Sequence, residues 1–254
     1  MISVAPLRKF PFLNANALKI LATLLMLIDH IGAIFYPTSH FLFRKIGRLS
    51  FPVFAFFISE DCRYTKNKSR HFSILAGLAV LCEIVVRIAV PNTPMASILI
   101  TFSFSVLIIY ALQAFKKRLF ENAPVAETVF FFFVFASGVG LAFWLCYLTP
   151  IDYGFWGVMT PVFVSLFDFR GVPAPAFLQK LDCLPVRVLS LLPCLFMLVE
   201  TSLFPALQWY AFLALPLLLC YNGERGTWNM KYFFYVFYPL HLAFLYGIYY
   251  FFVL

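Results

Sequence analysis

Ionisable side chains interrupt several hydrophobic segments that are long enough to cross a membrane. Asp29 and His30 lie together in the first such segment, Arg48 lies in the second, Asp152 opens the sixth, and His241 lies in the last. A charged side chain at bilayer depth costs from about 2.5 kcal/mol upward and mostly faces a bundle interior or a water-filled cavity. These positions therefore indicate a functional pocket inside the membrane.

His30 is the residue of this set best suited to acid-base chemistry. A neutral imidazole in a partly dry pocket can accept a proton from an incoming amine or hydroxyl. The neighbouring Asp29 projects about 100° away from His30 on a helix, so we expect it to pair with Arg48 instead of orienting the imidazole. The alternative is that His30 is a packing residue whose ring is satisfied by a hydrogen bond.

His241 belongs to the segment Tyr238-Pro239-Leu240-His241, which combines an aromatic residue, a proline and a histidine in one helical turn. A proline kink frees backbone carbonyls that a histidine can satisfy. The competing interpretation is a proton relay or a group that binds a donor substrate. The sequence does not decide whether His30 or His241 is the key residue.

Other polar patterns suggest which helix faces point inward. Lys19, Thr23, Met26 and His30 fall close to one face of a helix. Glu83 and Arg87, four residues apart, are expected to pair with each other. Polar residues at helical spacing in the segment 97–105 favour helix packing over a substrate path; they are Ser97, Thr101 and Ser105.

The composition predicts the fold class. Hydrophobic residues make up 63% of the chain and charged residues 12%, whereas soluble domains contain about 25% charged residues. We therefore expect an all-α, polytopic transmembrane helical bundle that occupies residues 1–254 as a single domain. Hydropathy predicts nine spans, at 17–36, 42–60, 71–90, 96–115, 125–148, 151–167, 186–203, 205–221 and 232–252.

Eight spans remain possible, because the sixth is short and residues 186–221 could form one element. About 36 residues exceed a single crossing, and Pro205 offers a breaking point, so two helices are the better interpretation. The first hydrophobic run lacks a small-residue cleavage site and is expected to be a retained span.

Lys and Arg residues predict the orientation, because they collect in short cytoplasmic loops. They precede the first span and occupy the even-numbered loops, so we expect a cytoplasmic N-terminus and an external C-terminus. Asp29, His30 and Arg48 would then share the outer half of the membrane with Asp152 and Tyr153. A second polar layer would lie at the cytoplasmic face and contain Glu60, Asn222, Arg225, Lys231 and the basic second loop.

Several functional classes find no support. The 6 cysteines show neither CxxC spacing nor a nearby histidine, which argues against a zinc site or a disulfide framework, and we expect no metal. The net charge of +8 is explained by orientation, and no aromatic-basic motif suggests nucleic-acid binding.

Five ordered blocks resemble the TraX family, named for the conjugative-pilus protein that acetylates the pilin N-terminus. The blocks are LKILATLLMLIDHIGAIFYP, IGRLSFPVFAFFISEDCRYT, DYGFWGV, CYNGERG and KYFFYVFYPLHL. The resemblance implies an integral inner-membrane acyltransferase with acetyl-CoA as the donor. In its intramembrane histidine and multi-helix bundle, the chain is also similar to the membrane acyltransferases that modify sugars. Where relatives often have Glu-Gly, this chain has Glu60-Asp61.

Carried over to this sequence, the resemblance implies functional positions in all five blocks. They are Asp29, His30, Gly47, Arg48, Phe51, Pro52, Glu60, Asp152, Tyr153, Gly154, Asn222, Gly223, Tyr238, Pro239 and His241. We expect His30 to deprotonate the acceptor and Arg48 or Thr101 to steady the oxyanion. Basic residues at the cytoplasmic face are candidates for binding the phosphates of coenzyme A; they are Lys66, Lys68, Arg70, Arg225 and Lys231.

The expected partners are the lipid bilayer and an acyl acceptor, either a protein N-terminus or a glycan. Two alternatives remain open. Paired intramembrane charges also form ion or proton pathways in transporters, although no matched pair of broken segments indicates the inverted repeats that such proteins often have. A membrane scaffold without chemistry would leave Asp29, His30 and Arg48 unexplained.

Overall fold

The computed structural model describes residues 13–36, 41–89, 97–228 and 230–252. Within these ranges the regular structure is helical, as predicted, and the β-type pairing is an isolated bridge between Leu13 and Tyr221. The helices are α1 (Ala15–Phe35), α2 (Phe41–Gly47), α3 (Ser50–Tyr64), α4 (Lys68–Ala89), α5 (Ile98–Phe120), α6 (Val125–Leu148), α7 (Gly154–Leu166), α8 (Ala176–Leu181), α9 (Leu184–Leu189), α10 (Leu192–Thr201), α11 (Pro205–Gln208), a 3-10 turn (Trp209–Leu213), α12 (Ala214–Leu219) and α13 (Lys231–Phe252).

Among the described residues, five helical segments are long and apolar enough to cross a membrane. They are α1, α4, α5, α6 and the stretch Leu184–Thr201, which comprises α9 and α10. The chain is thus a multi-pass membrane protein. Helices lie at all nine predicted positions, and the predicted separation at Pro205 is confirmed because α10 ends at Thr201 and α11 begins at Pro205.

The predicted second span, 42–60, is divided between two helices. α2 ends at Gly47, and α3 begins at Ser50 after a turn at Arg48 and Leu49. Pro52 explains the break, because a proline ring clashes with the carbonyl four residues earlier, here that of Arg48. Pro52 itself lies in the first turn of α3, where its missing N–H has no consequence. The interruption turns Arg48 away from the direction that a continuous helix would give it.

The short α2 packs closely against α1. A Cβ atom added at Gly47 would lie 2.2 Å from the Cβ of Asp29, and one added at Gly32 would lie 2.7 Å from the Cβ of Phe43. Neither distance leaves room for a side chain, so the two glycines permit the helices to approach. This contact brings Arg44 of α2 to Asp29 of α1.

α3 lies at the centre of the fold and contacts α1, α5 and α7. Hydrogen bonds reinforce this packing: the hydroxyls of Ser59 and Ser165 are 2.7 Å apart, and Ser105 donates to the carbonyl of Val158 at 2.7 Å. The predicted packing role of the polar stripe on α5 is thereby confirmed for Ser105. The Glu83–Arg87 pair is also confirmed, at 2.8 Å.

α6 forms the periphery. Its aromatic side chains are largely exposed, with Phe130 at 61%, Phe132 at 45% and Phe133 at 64%. An exposed helix whose side chains are apolar along its whole length is suited to contact with lipid. The site described next is lined mainly by α1, α3, α4, α5 and α13.

Candidate intramembrane site

A cavity of about 560 Å³ follows the inner face of α1. It has the size of a small-molecule binding site, for which 300–1,000 Å³ is typical. Along α1 it extends from Ala15 to His30, which is about 22 Å of helix axis at 1.5 Å per residue. The predicted inward face of α1 is confirmed, since Lys19, Thr23, Met26 and His30 all line this cavity.

The two candidate histidines meet in this site. Nδ1 of His30 lies 2.9 Å from Nε2 of His241, across 211 residues of sequence. Nδ1 of His241 lies 3.0 Å from the carbonyl oxygen of Phe237, one turn earlier on α13. The predicted contact of His241 with a backbone carbonyl near Pro239 is therefore confirmed, and the same ring contacts His30. Its role as a proton relay or a donor-binding group stays a prediction.

This arrangement determines the tautomers of two neutral histidines. The Phe237 carbonyl only accepts, so Nδ1 of His241 must donate and Nε2 of His241 keeps its lone pair. That lone pair accepts a hydrogen bond from Nδ1–H of His30. Nε2 of His30 is then unprotonated, and His30 lines the cavity. The site thus presents a neutral imidazole nitrogen that can accept a proton.

Asp29 pairs with Arg44, not with Arg48 as the sequence suggested. Oδ2 of Asp29 lies 2.8 Å from Nη1 of Arg44, while Oδ1 is buried without a hydrogen bond among the described residues. Arg44 faces α1 because the close contact at Gly47 presses α2 against it. The pair leaves Arg48, beyond the helix break, free to contact another element.

Arg48 instead donates from Nη1 to the hydroxyl of Tyr153 at 3.1 Å. Asp152 and Tyr153 both line the cavity, as does Tyr238 on α13. Four residues of the predicted layer thus line the cavity, whereas the fifth, Arg48, does not line it and contacts it through Tyr153. Thr101 has a different role from the oxyanion contact that we expected. It is fully buried, does not line the cavity, and donates to the backbone carbonyl of Asp152 at 2.7 Å.

The opposite end of the cavity contains Glu60. Its side chain is 5% exposed and forms an ion pair with Arg187 on α9, whose side chain is 7% exposed. The hydroxyl of Tyr221 donates to the same carboxylate at 3.4 Å. Asn222, in contrast, does not line the cavity. Its side-chain oxygen accepts a hydrogen bond from the backbone N–H of Glu224, in the same loop, at 2.8 Å.

The predicted coenzyme A cluster is assembled only in part. Arg225 lines the cavity, in a loop whose carbonyls accept hydrogen bonds from the first backbone amides of α1. Three of the predicted residues are exposed and do not line it: Lys66, Lys68 and Arg70. The side chain of Lys231, at the start of α13, lies outside the described residues.

Sequence reasoning missed Asp61 and His71 as residues that line the cavity. Lys19 and Asp61 form an ion pair at 2.9 Å at the Glu60 end of the cavity. His71 also lines the cavity, and its Nδ1 lies 2.6 Å from the hydroxyl of Tyr110. Lys19 was recognisable from its position on the inner face of α1, whereas no local pattern marks His71. The described residues contain no group of three His, Cys, Asp or Glu residues placed to hold a metal ion.

The fold and site define a polytopic α-helical membrane protein with a polar cavity and a hydrogen-bonded histidine pair. The sequence model of the TraX protein family matches residues 14–249. The chain therefore belongs to the TraX family, and the resemblance of the five sequence blocks is confirmed.

Two curated proteins illustrate the relationship. The chain is 23% identical over 249 residues to the probable fimbrial assembly protein FimC, serogroup H1, of Dichelobacter nodosus, covering 91% of this chain and 94% of that protein. It is 35% identical over 140 residues to the uncharacterized protein RP591 of Rickettsia prowazekii (strain Madrid E), covering 55% of this chain and 50% of that protein. No solved structure matches the chain significantly.

Proposed function

We propose that this protein is a membrane acyltransferase that transfers an acetyl group from acetyl-CoA to an amine or hydroxyl acceptor. The observation that carries the proposal is the orientation of His30, whose unprotonated Nε2 belongs to a residue lining the cavity. Membership in the TraX family and the name of the fimbrial assembly relative support a pilin-type N-terminus as the acceptor.

In the proposed reaction His30 acts as the general base. Its Nε2 takes a proton from the acceptor as the nitrogen or oxygen of the acceptor attacks the thioester carbonyl. The same nitrogen then returns that proton to the departing thiolate, so the products are the acetylated acceptor and free coenzyme A. His241 holds His30 in the required tautomer by accepting its Nδ1–H.

The shape and charge of the cavity support placing the donor along α1. Lys19 and Arg225 lie at the end remote from His30 and are suited to attract phosphate groups. An extended donor anchored there can direct its thioester toward His30. Lys19 forms an ion pair with Asp61 at this end, and Arg225 lines the same end of the cavity.

We further propose that the protein lies in the bacterial inner membrane with its N-terminus in the cytoplasm, because of the charge distribution of the loops. Cys183 tests this orientation, since it is exposed in the loop between α8 and α9. A membrane-impermeant maleimide is expected to label Cys183 only after permeabilisation of the inner membrane. The Cys183→Ser variant controls for other thiols. Labelling of Cys183 in intact spheroplasts to the same extent as after permeabilisation would indicate the opposite orientation.

The activity is tested by thiol release from acetyl-CoA with purified, detergent-solubilised protein. Small amines, sugars and a peptide with a pilin-like free N-terminus are added in turn, and the acetylated product is identified by mass spectrometry. We expect release that depends on one acceptor class. Transport of a solute by reconstituted protein, with neither acetyl-CoA binding nor thiol release, would instead favour the transporter alternative.

A further inference from the structure

Tyr153 adopts a backbone conformation that is unusual for a large side chain. Its φ is +59°, in the left-handed region, and the next residue, Gly154, follows at +54°. A bulky residue in this region is strained and persists only where its surroundings hold it there. Such strain concentrates at functional sites, so the contacts that hold Tyr153 are of interest.

Four neighbours hold this residue in place. The ring of Tyr153 stacks on Phe51 with centroids 4.0 Å apart and an interplanar angle of 10°. A Cβ added at Gly157 would lie 2.4 Å from the Cβ of Tyr153, so this approach requires glycine. Thr101 fixes Asp152, the residue before Tyr153, by donating a hydrogen bond to its carbonyl. Arg48 donates a hydrogen bond to the phenol oxygen of Tyr153. The hydroxyl therefore has little freedom to move.

The hydrogen bond from Arg48 leaves the Tyr153 proton available. Arg48 can only donate, so the phenol oxygen is the acceptor in their 3.1 Å contact. No hydrogen bond donated by Tyr153 is made to the described residues, and Tyr153 lines the cavity together with His30. A hydroxyl that accepts from a guanidinium is polarised and becomes a stronger donor in turn.

We propose that Tyr153 donates its hydroxyl hydrogen bond to the thioester carbonyl oxygen and stabilises the oxyanion, with Arg48 as its positioning residue. The inference rests on the proposed acyl transfer. When the acceptor attacks the carbonyl carbon, the π electron pair moves to the oxygen and the Tyr153 O–H stabilises the resulting charge. When the carbonyl re-forms, the carbon–sulfur bond breaks and the thiolate takes the proton held by His30. Tyr153 keeps its own proton throughout.

Tyr153→Phe tests this role because it removes the hydroxyl and retains the ring that stacks on Phe51. We expect kcat to fall about 100-fold or more, which is typical for the loss of one oxyanion donor, with little change in the KM for acetyl-CoA. Tyr147→Phe is the matched control, since Tyr147 is 77% exposed on α6. Thermal unfolding and gel filtration verify that each variant remains folded.

A double-mutant cycle tests whether Arg48 acts through Tyr153. Arg48→Met is expected to lower kcat in the wild-type background and to have little further effect in Tyr153→Phe. An unchanged kcat in Tyr153→Phe would overturn the inference, and so would an effect limited to an increase in KM. A wild-type protein that transfers no acyl group would refute the enzyme assignment and this inference with it, whereas an active wild type with an equally active Tyr153→Phe would refute the inference alone.

Discussion

Replacement of His30 by Asn is expected to reduce acyl transfer by about 100- to 10,000-fold, the range typical for loss of a general base. Asparagine places an amide nitrogen near the position of histidine Nδ1, so the hydrogen bond to Nε2 of His241 can be preserved. The variant has no counterpart of the His30 Nε2 lone pair. The substitution therefore removes the proposed base while retaining the contact between α1 and α13.

Thiol release from acetyl-CoA in the presence of the active acceptor measures this effect. Binding of acetyl-CoA, followed by calorimetry, is expected to remain close to that of the wild type, because His30 lies at the end of the cavity remote from Arg225. Full activity in a correctly folded His30→Asn protein would remove the catalytic assignment. Loss of acetyl-CoA binding together with activity would make His30 a binding residue instead.

The partner histidine provides a graded comparison. His241→Gln supplies a carbonyl oxygen that can accept the His30 Nδ1–H, so we expect a smaller loss of kcat than in His30→Asn. His241→Leu removes the acceptor and leaves the His30 tautomer undetermined, so its loss should exceed that of His241→Gln. If His241→Gln is instead less active than His30→Asn, His241 is the principal catalytic group.

Glu60→Leu is expected to destabilise the protein by about 3–5 kcal/mol, because it leaves the Arg187 guanidinium buried without its partner. Both side chains are enclosed, at 5% and 7% exposure, so solvent offers little compensation. Tyr221 would also lose the acceptor of its hydroxyl. The free energy of unfolding, from denaturant titration in a fixed detergent, measures the change.

The double variant Glu60→Leu/Arg187→Met separates charge burial from other causes. Replacing both charges by apolar side chains removes the unpaired guanidinium and is expected to recover most of the lost stability. An exposed pair serves as the matched control: Lys117 and Glu121 lie 3.8 Å apart on the surface, and Glu121→Leu should change the unfolding free energy by less than about 1 kcal/mol. A double variant as unstable as Glu60→Leu would contradict the ion-pair explanation.

The helical architecture was largely predictable because hydropathy reports directly on burial in lipid. Each predicted span overlaps helix, although the second is divided between α2 and α3. The inward face of α1 followed from the 3.6-residue period that places Lys19, Thr23 and His30 together. The pairing of Glu83 with Arg87 was equally accessible, since residues four apart on a helix are neighbours. These features depend on interactions within one element.

The candidate site was predictable only as a set of residues. Arg48 was identified, but its partner was not, because hydropathy does not show that the helix is interrupted at Arg48 and Leu49. The ion pair of Asp29 with Arg44 depends on the close approach of two helices at Gly32 and Gly47. Thr101 and Asn222 were assigned to the pocket, yet each satisfies nearby backbone groups.

The sequence by itself determined that this is a multi-pass helical protein with ionisable residues in its apolar segments, because the energetic cost of polar groups in lipid is large and local. Only the tertiary structure decided that His30 and His241 meet, and that the carbonyl of Phe237 determines which imidazole nitrogen carries a proton. The reason is physical: a hydrogen bond across 211 residues depends on how α1 and α13 pack, and no periodicity within either helix encodes that distance.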